Sequence, residues 1–314
     1  MDGHFPKSLP VRDILKRTRK SNSSQRIRDE YYSVVAQRYN TTVTSFMKPE
    51  NQAKNRYSEL LCWDHSRVVL DAEDGSDYIH ANWIDGFEEP KKFIATQGPM
   101  ENTTADFWKL VWQQRCHVIV MLTPTIVNGE EKCHQYWCPR KNGSLVADEY
   151  HIETLKVTAR TNHIRTCIRI TNDSLNKSRK LTHFQCNNWF ETSTPFNFPW
   201  LVHFIELINN YRCTYMELSS EPEETSYCPI VVHCSTGIGR TGTFCAVDIC
   251  LKQVEKTSKV SVLDAVSQVR KQRYEGVIGL MQYMFIYQAV EYFISEREGS
   301  DKVSKKLFFS CFKK

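Results

Sequence analysis

Hydrophobic positions along the chain fall into short runs of two kinds. Val118–Thr123 is continuously apolar over the length of one strand, and Ile230–Val232 repeats this in miniature; both patterns predict strands buried on two faces. Ile152–Thr158, Cys167–Thr171 and Leu181–Cys186 alternate or nearly so, which predicts neighbouring antiparallel strands. Helical spacing takes over elsewhere. A helix is expected from near Arg26 through Tyr31, Val34, Val35 and Tyr39. Others are expected at Asp106–Gln114, with Phe107, Leu110 and Val111 on one face, and at Phe198–Tyr211, with Leu201, Phe204, Ile205 and Ile208 aligned. Ser261 followed by Asp264 marks a helix start, and Leu263, Val266 and Val269 continue its stripe. Met281–Ile294 reads as a last helix.

No repeat period appears, and no Pro/Gly-rich linker divides the middle. One domain over about residues 27–297 is therefore expected, an α/β (α+β) mixture of a sheet with many helices. Residues 1–26 read as a basic N-terminal arm and 298–314 as a basic C-terminal tail.

Composition sharpens this. The 314 residues are 41% hydrophobic and 25% charged, globular values that exclude a disordered, collagen-like or coiled-coil chain. No apolar run approaches the roughly 18 residues needed to span a bilayer, and the N-terminus lacks a secretory apolar stretch. A soluble intracellular protein is expected. The net charge of +5 is uneven: residues 1–28 carry +6, residues 302–314 carry +5, and the body between them carries −6. Basic ends can touch RNA or an anionic membrane, and Leu307-Phe308-Phe309 among lysines adds a slight membrane signal; solvated ends are the plainer reading. The 12 cysteines lack disulfide or zinc spacing, so most are expected to pack as small apolar residues. Cys311, four from the end, lacks the context of a prenylation box.

The chemistry concentrates in Pro229–Phe244, where a short strand ends at His233, Cys234 follows, and Arg240 comes after five intervening residues at the start of an apolar helix. Gly237, Gly239 and Gly242 match G-x-G-x-x-G, but a dinucleotide site also needs a second parallel strand ending in an acid about 20 residues on, and two helices stand there instead. Cys and Arg read together make better sense. A loop at a helix N-terminus aims backbone N–H groups and the positive dipole end at one spot. Gly237 and Gly239 leave room for a dianion, and Arg240 offers a planar fork to phosphoryl oxygens. The same field lowers the pKa of Cys234, making a nucleophile aimed at phosphorus. Thr241 is placed to hold the sulfur as nucleophile and leaving group.

His233-Cys234-Ser235-Thr236-Gly237-Ile238-Gly239-Arg240-Thr241-Gly242 closely resembles the phosphate loop of the tyrosine-specific protein tyrosine phosphatases of the non-receptor kind. Lys54-Asn55-Arg56-Tyr57 resembles the family's phosphotyrosine-recognition loop. Asp77–Asn82, Ile94–Pro99, Asp106–Trp108, Val118–Thr123 and Lys132–Trp137 match further family blocks in order. The resemblance implies a twisted mixed sheet flanked by helices and a metal-free, cofactor-free, two-step hydrolysis. Cys234 attacks phosphotyrosine, a carboxylic acid on a loop protonates the leaving oxygen, and water cleaves the phosphocysteine. Ser235, Thr236, Gly237, Ile238, Gly239 and Arg240 would cradle the phosphate, Tyr57 would stack on the ring, and His233 and Thr241 would support the nucleophile.

The chain departs from the family at its motor parts. The usual Trp-Pro-Asp stands as Trp189-Phe190-Glu191, with Ser193 for the usual Gly. Glu191 is the candidate general acid; its extra methylene displaces the carboxyl by about 1 Å, enough to cost on the order of 10²-fold. Phe190 lacks the fixed φ of Pro. The Gln that orients water falls on Ile278, which makes no hydrogen bond, leaving Gln282. The Glu that pairs with the phosphate-loop Arg falls on Val127, with Glu130 or Glu131 as substitutes. This pattern predicts intact binding with reduced turnover, or in the limit a trap that shields phosphoproteins. It is also similar to the divergent phosphatase sets of polydnaviruses (bracoviruses) of parasitoid wasps, implying action in host-cell cytosol. Phosphotyrosine proteins are the expected partners, without nucleic acid or stable membrane insertion, and the chain is expected to be a monomer. A lipid or RNA phosphatase would not need the Lys54–Tyr57 loop.

Overall fold

The computed structural model describes residues 8–18, 23–71, 76–187, 189, 197–218 and 228–311. Its strands are β1 (Leu9–Pro10), β2 (Arg67–Val69), β3 (Tyr78–Gly86), β4 (Glu89–Thr96), β5 (Val118–Met121), β6 (Ile126–Val127), β7 (Glu130–Glu131), β8 (Ser144–Ala147), β9 (Tyr150–Ala159), β10 (His163–Asn172), β11 (Lys177–Cys186), β12 (Ile230–His233) and β13 (Lys259–Val260). Its helices are α1 (Val11–Thr18), α2 (Ser23–Val35), α3 (Thr44–Met47), α4 (Thr104–Gln113), α5 (Phe198–Leu218), α6 (Gly239–Thr257), α7 (Val262–Gln272) and α8 (Leu280–Cys311).

Nine strands form one mixed sheet in the order β2-β3-β4-β12-β5-β11-β10-β9-β8. The four central strands β4, β12, β5 and β11 run parallel, and antiparallel strands extend both edges. Side chains of the central strands alternate between two cores. Val118, Val120, Ile230 and Val232 pack with α5, α6, α7 and α8, while Ile119, Met121 and Val231 pack with α4. Both faces are covered, which is why these strands read as continuous apolar runs. Each such side chain contributes about 1.5–3 kcal/mol by leaving water.

Three boundaries differ from the sequence expectation. Helix α2 ends at Val35 rather than running through Tyr39. Val34 is its last fully buried anchor, and Tyr39 instead tethers the following loop through its hydroxyl to Gln37 and to the Ser267 carbonyl. Helix α8 continues past Ile294 to Cys311, through most of the segment read as a tail. Part of the basic arm also docks: β1 pairs with β13, and Ile14 on α1 is buried in the larger core. Val11 and Ile14 lie on one side of that short helix, an apolar pair obscured in sequence by the surrounding charge.

The topology decides where chemistry can sit. Open sheets with parallel strands bind ligands beyond the strands' carboxyl ends. There β12 runs into the loop after His233, β4 into Gln97-Gly98, and β11 into Asn187 and Trp189.

Candidate active site

The loop after β12 is shaped by one glycine. Gly237 has φ of +68°, and a Cβ there would lie 2.1 Å from the Thr96 carbonyl oxygen, so no other residue fits this turn. The turn sends the Gly237 N–H to Cys234 Sγ at 3.2 Å and the Ile238 N–H to Thr236 Oγ1 at 3.2 Å. The next residue, Gly239, opens the 19-residue helix α6, so the positive end of its dipole faces the loop.

Cys234 is 1% exposed. Burial by itself would push its thiol up. The Arg240 guanidinium, the Thr241 hydroxyl and amide and the Thr236 hydroxyl overcome this and hold it below the ordinary thiol value. Elsewhere the same burial acts unopposed, or nearly so: the thiol of Cys62 is pushed up to about 11, and those of Cys116, Cys133, Cys245 and Cys250 also rise. These are packed apolar cysteines, as expected.

The strand end is locked by a chain of hydrogen bonds. His233 is fully buried, and burial, with the Arg240 and Arg56 charges, lowers its pKa to about 4. The ring is therefore neutral. Its Nδ1 lies 3.1 Å from the Cys234 carbonyl oxygen and donates there. Its Nε2 must then accept, and the Tyr136 hydroxyl donates to it at 2.7 Å. The tyrosine oxygen in turn accepts from His183 Nε2 at 2.8 Å. That leaves His183 Nδ1 a bare acceptor, and it is buried without a partner. Both nitrogens of His233 are engaged, so its part is to position the loop.

Arg273 supports the loop from α7. Its guanidinium is fully buried and donates to the carbonyls of Gly237 at 3.1 Å and Thr236 at 3.2 Å. It also bonds Asn82 Oδ1 at 2.7 Å and His80 Nδ1 at 3.0 Å. Pulling both carbonyls backward turns the intervening amides toward the sulfur side. Sequence reading missed Arg273, Tyr136 and His183. A lone Arg after an amphipathic helix looks like any surface Arg, and the histidines' partners are distant in the chain.

The remaining expected residues fall around this centre. Tyr57 is half-buried, and its hydroxyl meets Ser235 Oγ at 2.9 Å. Arg56 staples this loop to the carbonyls of Gly98, Pro99 and Glu131. Arg240 NH1 donates to the Trp189 carbonyl at 2.8 Å, joining the phosphate loop to the start of the acid loop. The Thr241 hydroxyl, beside the Cys234 sulfur, and Gln282 Oε1 are buried without a hydrogen-bond partner among the described residues. A Cβ on Gly239 would meet Gln282 Nε2 at 2.8 Å and Ile278 Cγ2 at 3.2 Å, so both side chains cover that end of the loop. Glu130 pairs with Lys132, and Glu131 with Arg56 and His134. Phe190, Glu191 and Ser193 lie outside the described residues. Among the described residues, no three His, Cys, Asp or Glu side chains gather to hold a metal. No helix of the described residues is long and apolar enough to cross a membrane.

Comparison with known proteins agrees with this geometry. The sequence pattern described as protein-tyrosine phosphatase matches residues 51–292. Probable tyrosine phosphatase protein N1 of Microplitis demolitor bracovirus (isolate Webb) is 42% identical over 277 residues, covering 87% of this chain and 86% of that protein. Tyrosine phosphatase H3 of the same virus is 36% identical over 331 residues, covering 98% and 100%. Human tyrosine-protein phosphatase non-receptor type 9 is 35% identical over 300 residues, covering 94% of this chain and 50% of that protein.

Proposed function

The chain belongs to the protein-tyrosine phosphatase family, and we propose that it hydrolyses phosphotyrosine in proteins through a phosphocysteine, with reduced turnover. The substrate ring lies against Tyr57. The phosphoryl oxygens sit among the amides of Ser235 to Arg240. Arg240 keeps one nitrogen on Trp189 and turns its remaining donors to the phosphate. The Cys234 sulfur forms an S–P bond as the P–O bond to tyrosine breaks, and Glu191 delivers the proton to the phenolate oxygen. Water then gives a proton to the Glu191 carboxylate as it attacks phosphorus, the S–P bond breaks, phosphate departs, and the sulfur is again a thiolate held by Thr241. Gln282 is the remaining amide to orient that water.

One observation carries this reading: a fully buried thiol whose pKa is lowered by a neighbouring guanidinium and hydroxyls. The test is release of phosphate from a phosphotyrosine peptide by the pure protein, with Cys234→Ser as blank. Equal rates for the two proteins would overturn it.

A second reading has its own support. Ile278, 52% exposed, presents an apolar side chain beside Gly239 where water must be oriented. In the limit the protein captures phosphotyrosine and shields it. Either way the partners are phosphotyrosine proteins, met by a monomer in the cytosol. Similarity to bracovirus proteins supports reading that as the cytosol of an infected cell.

A further inference from the structure

Beside α5, away from Cys234 in the chain, the turn between β9 and β10 borders an open surface pocket of about 340 Å³, near the lower end of ligand-site volumes. Arg160, Arg165, His163 and Thr158 line one side, and Trp200 and Leu207 the other. None of the eight lining residues is acidic. Neither arginine has a carboxylate partner among the described residues. Part of the lining is anchored. The Arg165 guanidinium lies 5.3 Å from the centroid of the Tyr211 ring and donates to its hydroxyl. Trp200 stacks on Phe204 with centroids 4.8 Å apart, and Phe204 in turn packs against His163. His163 Nδ1 is buried without a partner among the described residues. A wall carrying two guanidinium groups, that of Arg165 anchored on Tyr211, opposite an indole suits a ligand with an anionic end and an aromatic body.

The pocket is also linked, through backbone, to the site already described. The Asn187 N–H donates to the Asn162 carbonyl at 3.3 Å, and His163 pairs with Cys186 across the sheet. Two residues beyond Asn187 stands Trp189, fully buried, whose carbonyl holds Arg240. A ligand that shifts the 160–163 turn therefore pulls on the backbone that orients the Arg240 guanidinium.

We propose that this pocket binds an aryl phosphate, such as a phosphotyrosine side chain, and that its occupancy is transmitted to Arg240 through Asn162, Asn187 and Trp189. The choice of phosphotyrosine within that class rests on the function proposed above; the binding of an aryl anion does not.

The test is calorimetric titration of the full chain with phenylphosphonate, an aryl anion with no ester bond to hydrolyse. Two sites are expected. Arg240→Ala removes one, and either Arg160→Glu or Leu207→Glu removes the other, each variant being checked by its melting curve. Inorganic phosphate should fill the pocket about 10-fold more weakly, because it leaves Trp200 uncovered. Filling the pocket should shift affinity at the Cys234 site by about 5-fold or more, a shift absent from Arg160→Glu. A single site abolished by Arg240→Ala, or a second site indifferent to both pocket variants, would overturn the pocket. Equal affinity for phosphate and phenylphosphonate would overturn the aryl class, and an unshifted Cys234 site would overturn the coupling. The readout is binding, so a catalytically silent protein would sink the proposed hydrolysis and leave this result standing.

Discussion

Cys133 and Cys234 both press on Gly98, where an added Cβ would meet the Cys234 carbonyl oxygen at 2.8 Å and the Cys133 Cβ at 3.1 Å. Both are buried, yet one thiol is raised and the other lowered. Burial raises both, so the difference lies in Arg240 and the hydroxyls of Thr241 and Thr236. This contrast was legible in sequence, because Cys234 and Arg240 share one short loop and its helix. Gly237 is the residue on which the loop's shape turns. Gly237→Ala places a side chain at positive φ, costing about 1–2 kcal/mol before the clash with Thr96, and should lower both the melting temperature and phosphate binding. On the proposed mechanism, Ile278 is the residue at which the second step should stall. A single-turnover experiment on the parent should give a burst followed by a stall, and Ile278→Gln should raise steady turnover by about 10- to 100-fold. An unchanged stall in that variant would move the defect to the acid loop.

Among the elements, α7 does the most remote work. Its N-cap Ser261 accepts the Asp264 N–H at 3.1 Å, the start signal that the sequence displayed. Its far end delivers Arg273 to the carbonyls of Thr236 and Gly237, which the sequence did not display. Capping is a local pattern, whereas Arg273 reaches a loop 36 residues away. Ser261→Ala should cost about 1 kcal/mol of stability, read as a lower melting temperature, with the thiol chemistry of Cys234 retained. The hairpin strands were legible from alternation for the same local reason. The acid loop is an element legible only by likeness, and its departures make a sharp prediction. Glu191→Asp together with Phe190→Pro should speed phosphocysteine formation, seen as a faster burst, without relieving the stall expected at Ile278. A burst of unchanged rate would contradict the role given to Glu191.

At the scale of the whole molecule, strand order was hidden. The parallel neighbours β4, β12, β5 and β11 come from distant parts of the chain, and pairing between them depends on packing that no local period encodes. So was the docking of α1, which charge composition assigned to a free arm. The same burial that builds the core sets the response to acid. Burial lowers His233 to about 4 and His80 to about 3, with the Arg273 charge adding to His80, and holds His183 well below 6.5. In the unfolded chain these rings take up protons below about 6.5. The unfolded state thus binds more protons through the window from about 6.5 down to about 3, and stability falls as the pH is lowered through it. Above that window these groups contribute fully and no longer vary. The melting temperature should therefore drop between about pH 7 and about pH 5, and His80→Gln, which cannot charge, should show a smaller drop.

Everything assigned to the site depends on the Cys234 sulfur being an anion near neutral pH. The direct measurement is the rate of Cys234 alkylation by iodoacetamide as a function of pH, with the labelled residue identified by mass spectrometry. The account predicts a midpoint below the ordinary thiol value of 9.0, moving upward in Arg240→Ala and in Thr241→Val. A midpoint at or above 9.0 in the parent, or one that stays put when Arg240 is removed, would contradict it.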